Sequence, residues 1–332
     1  MHAIVLAGGK GTRLRPLTDT RPKPLVPFAG APLAAGLLRR LEAAGCDRAT
    51  FLVGAQAKPF APLERLGSAM GMPVNVVSEP QPLDTAGACR DLLRAGEPES
   101  EPALVCNGDI LTDLDYAAVV ARHTEVGATA TLVNTRVADT SSFGVVECDR
   151  HGRVRRFIEK PPAGTVAADT INAGTYVLAP DAFEAFPSHG PLSFERAVFP
   201  GLLDAGARLE GYQSDRYWID LGTPQRYLQG HRAVLTGRCA WPVDDAYVAV
   251  GDGVLLHVDA AISTDAAVGP DVVVGPDSRV EAGAQVAGSV LFEAVVVGAG
   301  ARVRSSVLAE GSRIRAGATV SDTVVAAGAT VS

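Results

Sequence analysis

Beyond Gly237 the chain repeats itself. Three successive 17-residue blocks, 282–298, 299–315 and 316–332, each begin Ala-Gly-Ala-x-Val. Each carries a further apolar residue eleven positions after that valine, at Val297, Ile314 and Val331. Upstream, apolar residues fall six apart at Ile262, Val268, Val274, Val280 and Val286. Hexad spacing, with glycine at turns and β-branched residues between them, predicts a left-handed parallel β-helix with one five-residue side per coil. A disordered Ala/Gly-rich tail would not keep the valine register. A solenoid also needs its last coil covered. Val324, Val325 and Val331, with only Ser332 beyond, therefore predict a homodimer or larger homo-oligomer formed through this domain.

The first 236 residues follow a different rule, alternating short apolar runs with amphipathic stretches. Ile4–Leu6, Phe51–Val53, Val74–Val77, Ala103–Cys106 and Thr129–Val133 read as buried strands. Leu33–Ala44 reads as a helix with Leu37, Leu38 and Leu41 on one face and Gly45 as its C-cap. Further helices are expected through Ala88–Leu93, capped by Asp84 or Thr85, and over Asp115–Val126. This order predicts an α/β domain, a Rossmann-like, mostly parallel mixed sheet with helices on both faces. From Val137 to Tyr217 shorter strands predict an added antiparallel portion, a lid or ligand pocket. Two domains follow, 1–236 and 237–332.

Composition removes several function classes. Hydrophobic residues at 47% and charged residues at 20% exclude a disordered chain. A formal charge of −7 disfavours an electrostatic nucleic-acid binder. The N-terminus is a strand-like run with no basic leader, and no apolar stretch reaches membrane-spanning length. The five cysteines form no CxxC pair, so a disulfide framework or zinc site is disfavoured and a cytoplasmic location is expected.

The chemistry is expected at loops that follow strands. Leu6-Ala7-Gly8-Gly9-Lys10-Gly11-Thr12-Arg13-Leu14 follows the first strand directly, and its glycines let backbone N–H groups approach a phosphate chain. It is neither a Walker A loop nor a dinucleotide fingerprint, since Leu14 stands at the third glycine position. Arg13 and the proline-flanked Lys23 bring two cations to the same end of the sheet. Asp109, in Asn107-Gly108-Asp109, and Asp220, in Trp218-Ile219-Asp220, put carboxylates at strand ends, where open α/β sheets bind ligands. Two acids with few protein neighbours suit Mg²⁺, which shares its octahedron with waters and substrate phosphates.

Together these segments resemble the nucleotide-sugar pyrophosphorylases, the sugar-1-phosphate nucleotidyltransferases, and most of all their mannose-1-phosphate guanylyltransferase branch. The resemblance runs through LAGGKGTRLRPLT, RPKPLVPF, EPQPLDTAGAC, VCNGDILTDLD, FGVVE, FIEKPP, INAGTYVL and YWIDLGTPQRYLQG, in order, and then the β-helix. It implies that residues 1–236 form the catalytic domain. It implies nucleotide contacts from Leu6, Ala7, Gly8, Gly9, Gly11, Thr12, Glu79, Asp84, Thr85, Ala86, Gly87, Asn107 and Gly108. Arg13, Lys23 and Lys160 would neutralise the reacting phosphates, and Asp109 and Asp220 would hold Mg²⁺. Gly144, Glu159, Lys160 and Asn172 would line the sugar-phosphate pocket.

The implied reaction joins an NTP to a sugar 1-phosphate, releasing pyrophosphate. A phosphate monoester is already anionic, so positioning and charge neutralisation suffice and no Ser-His-Asp or Cys-His set is required. Glu79 can accept the adjacent N1–H and 2-amino donors of guanine, which predicts GTP as the nucleotide, with mannose 1-phosphate or a mannose-like, heptose or cyclitol phosphate as acceptor. One position departs from the family pattern. Where the base-binding turn usually reads Pro-Leu-Gly-Thr-Ala-Gly, this chain has Asp84, which some uridylyl-transferring relatives share. UTP or dTTP thus stays an alternative, as does an inactive regulatory paralogue, although Arg13, Lys23, Asp109 and Asp220 are intact. A β-helix acyltransferase would want a histidine in the coils, and none follows His257.

Overall fold

His2–Ala7 (β1) pairs in parallel with Arg48–Val53 (β2) on one side and Ala103–Asn107 (β4) on the other. Val74–Ser78 (β3) extends the parallel set beyond β2. The computed structural model of the chain describes residues 1–79, 81–95, 101–162, 164–166 and 168–332. Pro80, which follows Glu79 in the sequence, lies outside the described residues. The chain packs as two compact units, one of Met1–Gly9, Leu37–Gly108 and Leu114–Trp218, the other of Lys10–Gly36, Asp109–Asp113 and Ile219–Ser332.

In the first unit the later strands are not a separate antiparallel addition, and the last of them, Leu209–Gln213, pairs in parallel with Ala130–Arg136. Ala130–Arg136 (β5), Gly144–Cys148 (β6), Val154–Glu159 (β7), Thr170–Leu178 (β8) and Leu209–Gln213 (β9) complete one nine-stranded sheet, ordered β7-β6-β8-β4-β1-β2-β3, with β5 on β8 and β9 on β5. β8 makes this possible. Its nine residues pair antiparallel with β4, β5 and β6, and its register shifts between Asn172 and Tyr176. Gly174 lies in that irregularity at φ 72°, and a Cβ there would stand 2.4 Å from the Asn107 amide nitrogen. Only glycine fits both constraints.

The expected helices form: α1 over Leu33–Ala43, then α3 over Asp84–Ala95 and α4 over Tyr116–Val126. Asp115 caps α4 by accepting the Ala118 N–H at 3.0 Å, and Gly127 closes it in the left-handed region. Three helices had no sequence expectation: Pro62–Met70 (α2), Phe199–Asp204 (α5) and Pro224–Leu235 (α6). The buried positions of α6 are Tyr227, Gly230, His231 and Ala233, which do not read as an apolar stripe. The core of the first unit joins Ile4, Val105, Leu132 and Val146 to an aromatic group in which Tyr176 lies 5.0 Å from both Phe194 and Phe199.

In the second unit the β-helix stacks strands in parallel, as its repeat predicts. The first coil steps by eighteen residues (Val254 onto Val272, Ile262 onto Val280, Val268 onto Val286), and later coils step by seventeen (Val280 onto Val297, Ile314 and Val331). Val272, Val274, Val280, Val286, Val297, Val303, Leu308, Ile314 and Val320 fill its interior. Buried serines close one corner: Ser289 Oγ accepts the Ser306 N–H, and Ser306 Oγ accepts that of Thr323. Elsewhere in this unit His231 stands 4.1 Å from Phe28 and 4.5 Å from Tyr227, and Trp241 packs edge-on to Phe28. The Tyr227 hydroxyl donates to the Pro27 carbonyl. Gly36 of α1 admits the Trp241 ring, which a Cβ would meet at 2.4 Å.

Candidate active site

The parallel strands of the first unit end together. Leu6 is in register with Leu52 and Asn107, and Ala7 with Val53, which in turn pairs with Ser78. Leu6, Ala7, Gly8, Gly9, Glu79, Asn107 and Gly108 therefore share the carboxyl edge of the sheet. The Gly108 N–H donates to the Leu6 carbonyl at 2.9 Å, and a Cβ at Gly108 would stand 3.0 Å from Val5. Among the described residues, the N–H groups of Gly8 and Gly9 donate to no backbone carbonyl, so they are available to an anion.

Glu79 anchors the edge at β3. Its Oε2 accepts the Leu83 N–H at 3.1 Å, and its Oε1 lies 3.8 Å from where a Gly8 Cβ would stand. Burial pushes its carboxyl above the ordinary range; the Leu83 N–H opposes this, and the charges of Asp84 and Asp91 add to it. The adjoining turn is held from a distant segment. Asp84 takes a left-handed φ of 61°, and its Oδ2 receives a hydrogen bond from Arg196. Ala86 and Gly87 both donate their N–H groups to the Leu192 carbonyl, at 2.8 and 3.1 Å.

The predicted sugar-phosphate residues form a third group. Glu159 pairs across β6 with Gly144, where a Cβ would stand 2.6 Å from Phe157 and 3.0 Å from Glu159 Oε2. Lys160, at φ 44°, sets its Nζ 3.3 Å from Glu159 Oε1. Asn172 donates to the Tyr176 hydroxyl at 2.7 Å and accepts the Gly174 N–H at 3.0 Å. Ile171, its neighbour, pairs with Val145, which brings Asn172 and Gly144 onto adjacent strands.

The second unit gathers the charged residues. Pro22 enters a single 3-10 turn, Lys23–Leu25, and buries Lys23 to 9% side-chain exposure. Its Nζ donates to Asp109 Oδ2 at 2.8 Å and stands 3.6 Å from Asp220 Oδ1. The two aspartates meet because Ile110–Thr112 pairs with Trp218–Asp220, and the Leu221 N–H donates to the Asp109 carbonyl. Arg226, at the start of α6, donates to Asp220 Oδ2 at 3.2 Å, and Arg13 Nη2 stands 3.9 Å from the same oxygen. Gly11 turns the loop at φ 62°, and its carbonyl accepts the Thr18 hydroxyl; Thr12 begins the 3-10 turn that carries Arg13.

These residues fit a divalent cation of the magnesium kind. Asp220 Oδ1 is buried with no hydrogen-bond partner, which is costly unless something else satisfies it. Gly222 keeps the space beside the carboxylate open, since a Cβ there would stand 3.0 Å from both Asp220 oxygens and 3.1 Å from Arg13. Among the described residues no cluster of three or more His, Cys, Asp or Glu could hold a metal ion, so an ion here would take most of its ligands from waters and phosphates. Sequence reasoning missed Arg226, Gly222, Glu195 and Arg196. Only Gly222, inside Asp-Leu-Gly-Thr, carried a local signal.

The first unit is an open sheet whose glycine loop leaves backbone donors free, and the second unit pairs one buried lysine with two aspartates; each feature suits a phosphorylated ligand. Residues 2–237 match the model of the family described as nucleotidyl transferase, and residues 250–332 match the GMPPB C-terminal domain. The chain belongs to the nucleotidyl transferase family and is a nucleotidyltransferase. It is 37% identical over 303 residues to a mannose-1-phosphate guanylyltransferase of Mycobacterium tuberculosis, covering 90% of this chain and 81% of that one. It is 32% identical over 247 residues to a UTP–glucose-1-phosphate uridylyltransferase of Synechocystis, covering 71% of this chain and 64% of that one. The crystal structure of HddC from Yersinia pseudotuberculosis complexed with GMP-PN superposes with a TM-score of 0.57 at 28% identity, over 69% of this chain and 97% of that one.

Proposed function

We propose that the chain is a sugar-1-phosphate guanylyltransferase that converts GTP and mannose 1-phosphate, or a mannose-like, heptose or cyclitol phosphate, into a GDP-sugar and pyrophosphate. Leu6, Ala7, Gly8, Gly9, Gly11, Thr12, Glu79, Asp84–Gly87, Asn107 and Gly108 bind the nucleotide in this reading. Gly144, Glu159, Lys160 and Asn172 bind the sugar phosphate. The acceptor's phosphate oxygen attacks the α-phosphorus in line, the bond to the bridging oxygen breaks, and pyrophosphate departs. Arg13, Lys23 and Lys160 neutralise charge on the phosphates without exchanging a proton. Asp109 and Asp220 would hold Mg²⁺, which when bound supplies further charge neutralisation at the phosphate oxygens.

Glu79 carries the guanine assignment. Guanine offers N1–H and a 2-amino group side by side, and a carboxylate with one oxygen anchored to Leu83 can accept both, since each oxygen has two lone pairs. Uracil and thymine place carbonyls beside their single N3–H, which a carboxylate repels. Such a paired contact is worth roughly 1–3 kcal/mol, about fivefold to 150-fold in preference. The test is kcat/KM for the wild type and Glu79→Gln with GTP, UTP, dTTP and ATP. The wild type is expected to prefer GTP and the variant to lose most of that preference. A wild type preferring a pyrimidine nucleotide, or a variant with its GTP preference untouched, overturns the assignment. Pyrimidine transfer is the second reading, favoured by Asp84 and by the uridylyltransferase relative.

The reading extends to assembly and location. Val248, Val250 and Val258, at 50%, 56% and 63% exposure, lie along or beside the Tyr247–Ala249 strand at the edge of the six-stranded face of the β-helix. The last coil is less bare than its sequence suggested, since Val325 is 6% exposed and Val324 and Val331 are half-buried, so the support for self-association through the β-helix comes from this other edge. Light scattering at micromolar concentration is expected to give a dimer or larger species, and a monomer rejects it. Cys46, Cys89, Cys106, Cys148 and Cys239 are free thiols, which supports a reducing, cytoplasmic setting. No helix among the described residues is long and apolar enough to cross a membrane.

A further inference from the structure

We propose that Arg196 is a positioning residue for nucleotide binding: it holds Asp84 in a left-handed conformation ordinarily left to glycine, and so presets the Asp84–Gly87 turn. The proposal rests on the assignment of that turn to the nucleotide. Both oxygens of Asp84 are already engaged. Oδ1 accepts the Thr85 N–H at 2.8 Å, and Oδ2 accepts from the Arg196 guanidinium. The carboxylate therefore serves the turn. Aspartate tolerates the left-handed region better than most residues, at a cost that the ion pair with Arg196 helps to offset.

The rest of the turn is clasped by the same distant segment. Thr85 Oγ1 donates to Glu195 Oε2 at 2.7 Å and accepts the Phe194 N–H at 2.9 Å, while Ser193 Oγ also donates to Glu195 Oε2. The Leu192 N–H donates to the Leu83 carbonyl, and the Leu192 carbonyl receives Ala86 and Gly87. Residues Phe194–Val198 form a π-helical turn capped by Ser193, whose hydroxyl accepts the Arg196 N–H at 3.2 Å and so fixes where that side chain begins. Behind the clasp, the wholly buried Arg90 donates to the Gly190 carbonyl at 2.9 Å. The N–H groups of Thr85, Ala86 and Gly87 are all spent inside the protein, so the turn is set before any ligand arrives. Arg196 itself is 67% exposed, and such a pair adds little to global stability. Its effect is local.

The decisive comparison is Arg196→Ala made in the wild type and in Asp84→Gly. With the NTP that the wild type uses best, Arg196→Ala is expected to raise KM for the nucleotide by about threefold to tenfold with kcat nearly unchanged, and to speed amide exchange at Ala86 and Gly87. In the Asp84→Gly background, where glycine adopts the left-handed turn unaided, the same substitution is expected to change KM by less than about twofold. Arg196→Lys, which keeps the charge, should retain part of the effect. Equal factors in both backgrounds, or no change in either, overturn the proposal. Faster exchange at the turn with KM unmoved overturns the nucleotide assignment beneath it. A wild type that prefers UTP overturns the guanine reading alone, since the coupling is still measured.

Discussion

Asp109→Asn and Asp220→Asn are each expected to lower kcat/KM by at least two orders of magnitude, about 2.7 kcal/mol of transition-state stabilisation. Asparagine keeps the size and one acceptor oxygen but removes the charge that a divalent ion requires. Asp220 should be the more sensitive of the two. Its side chain is 18% exposed against 39% for Asp109, its Oδ1 is buried without a hydrogen-bond partner, and its Oδ2 is shared by Arg226 and Arg13. Neither change should unfold the protein, because Lys23 keeps one carboxylate in each variant. Turnover as a function of Mg²⁺ concentration separates a lost ligand from a lost fold: the variants should need more Mg²⁺ and still melt near the wild-type temperature. Near-normal turnover of both at saturating Mg²⁺ rejects the metal assignment.

Stability should fall by roughly 3 kcal/mol between pH 6.5 and pH 4 through His231 alone. The ring is buried at 2% exposure, and burial pulls its pKa from 6.5 down to about 4, with the Tyr227 carbonyl opposing. Its Nε2 accepts the Ala29 N–H at 3.2 Å, which leaves Nδ1 as the protonated nitrogen donating to the Tyr227 carbonyl at 3.1 Å. The folded protein takes up the second proton less readily than the unfolded chain. The contribution is therefore complete above pH 6.5 and lost as pH drops toward 4. Because the same ring holds Ala29 at φ 49° and packs on Phe28, its protonation should loosen the Pro27–Pro32 hairpin first. Urea midpoints measured from pH 7.5 to 4.5 should fall more steeply in the wild type than in His231→Gln. Parallel curves would show that the titration lies elsewhere.

Much of the first unit was legible because burial along a strand or helix leaves a local period. The runs around Ile4, Phe51, Val105 and Leu132 are buried strands; the Val74 run is a strand but not a buried one, since it forms the sheet edge and leaves Val77 38% exposed; and Asp115 and Gly127 mark the ends of α4 where capping chemistry says they should. The glycines of the first loop, Lys23, Asp109 and Asp220 were visible as motif residues. Asp84 was visible only as a departure, with nothing nearby to say what it does. α6 stayed hidden, because its buried face is built from Gly230 and His231, which fill space against Leu221 and Phe28 instead of forming an apolar stripe.

By itself, then, the sequence determined the β-helix, the parallel strand set and the identity of the charged residues, since each is written in spacing over fewer than twenty positions. Tertiary structure alone decided that Lys10–Gly36 and Asp109–Asp113 pack with Ile219–Ser332. It also decided that one lysine serves two aspartates 86 residues and more away, and that Arg196 reaches back 112 residues to Asp84. The reason is physical. A repeating pattern records which side of an element avoids water, whereas an ion pair depends on which elements meet, and no local period encodes that encounter.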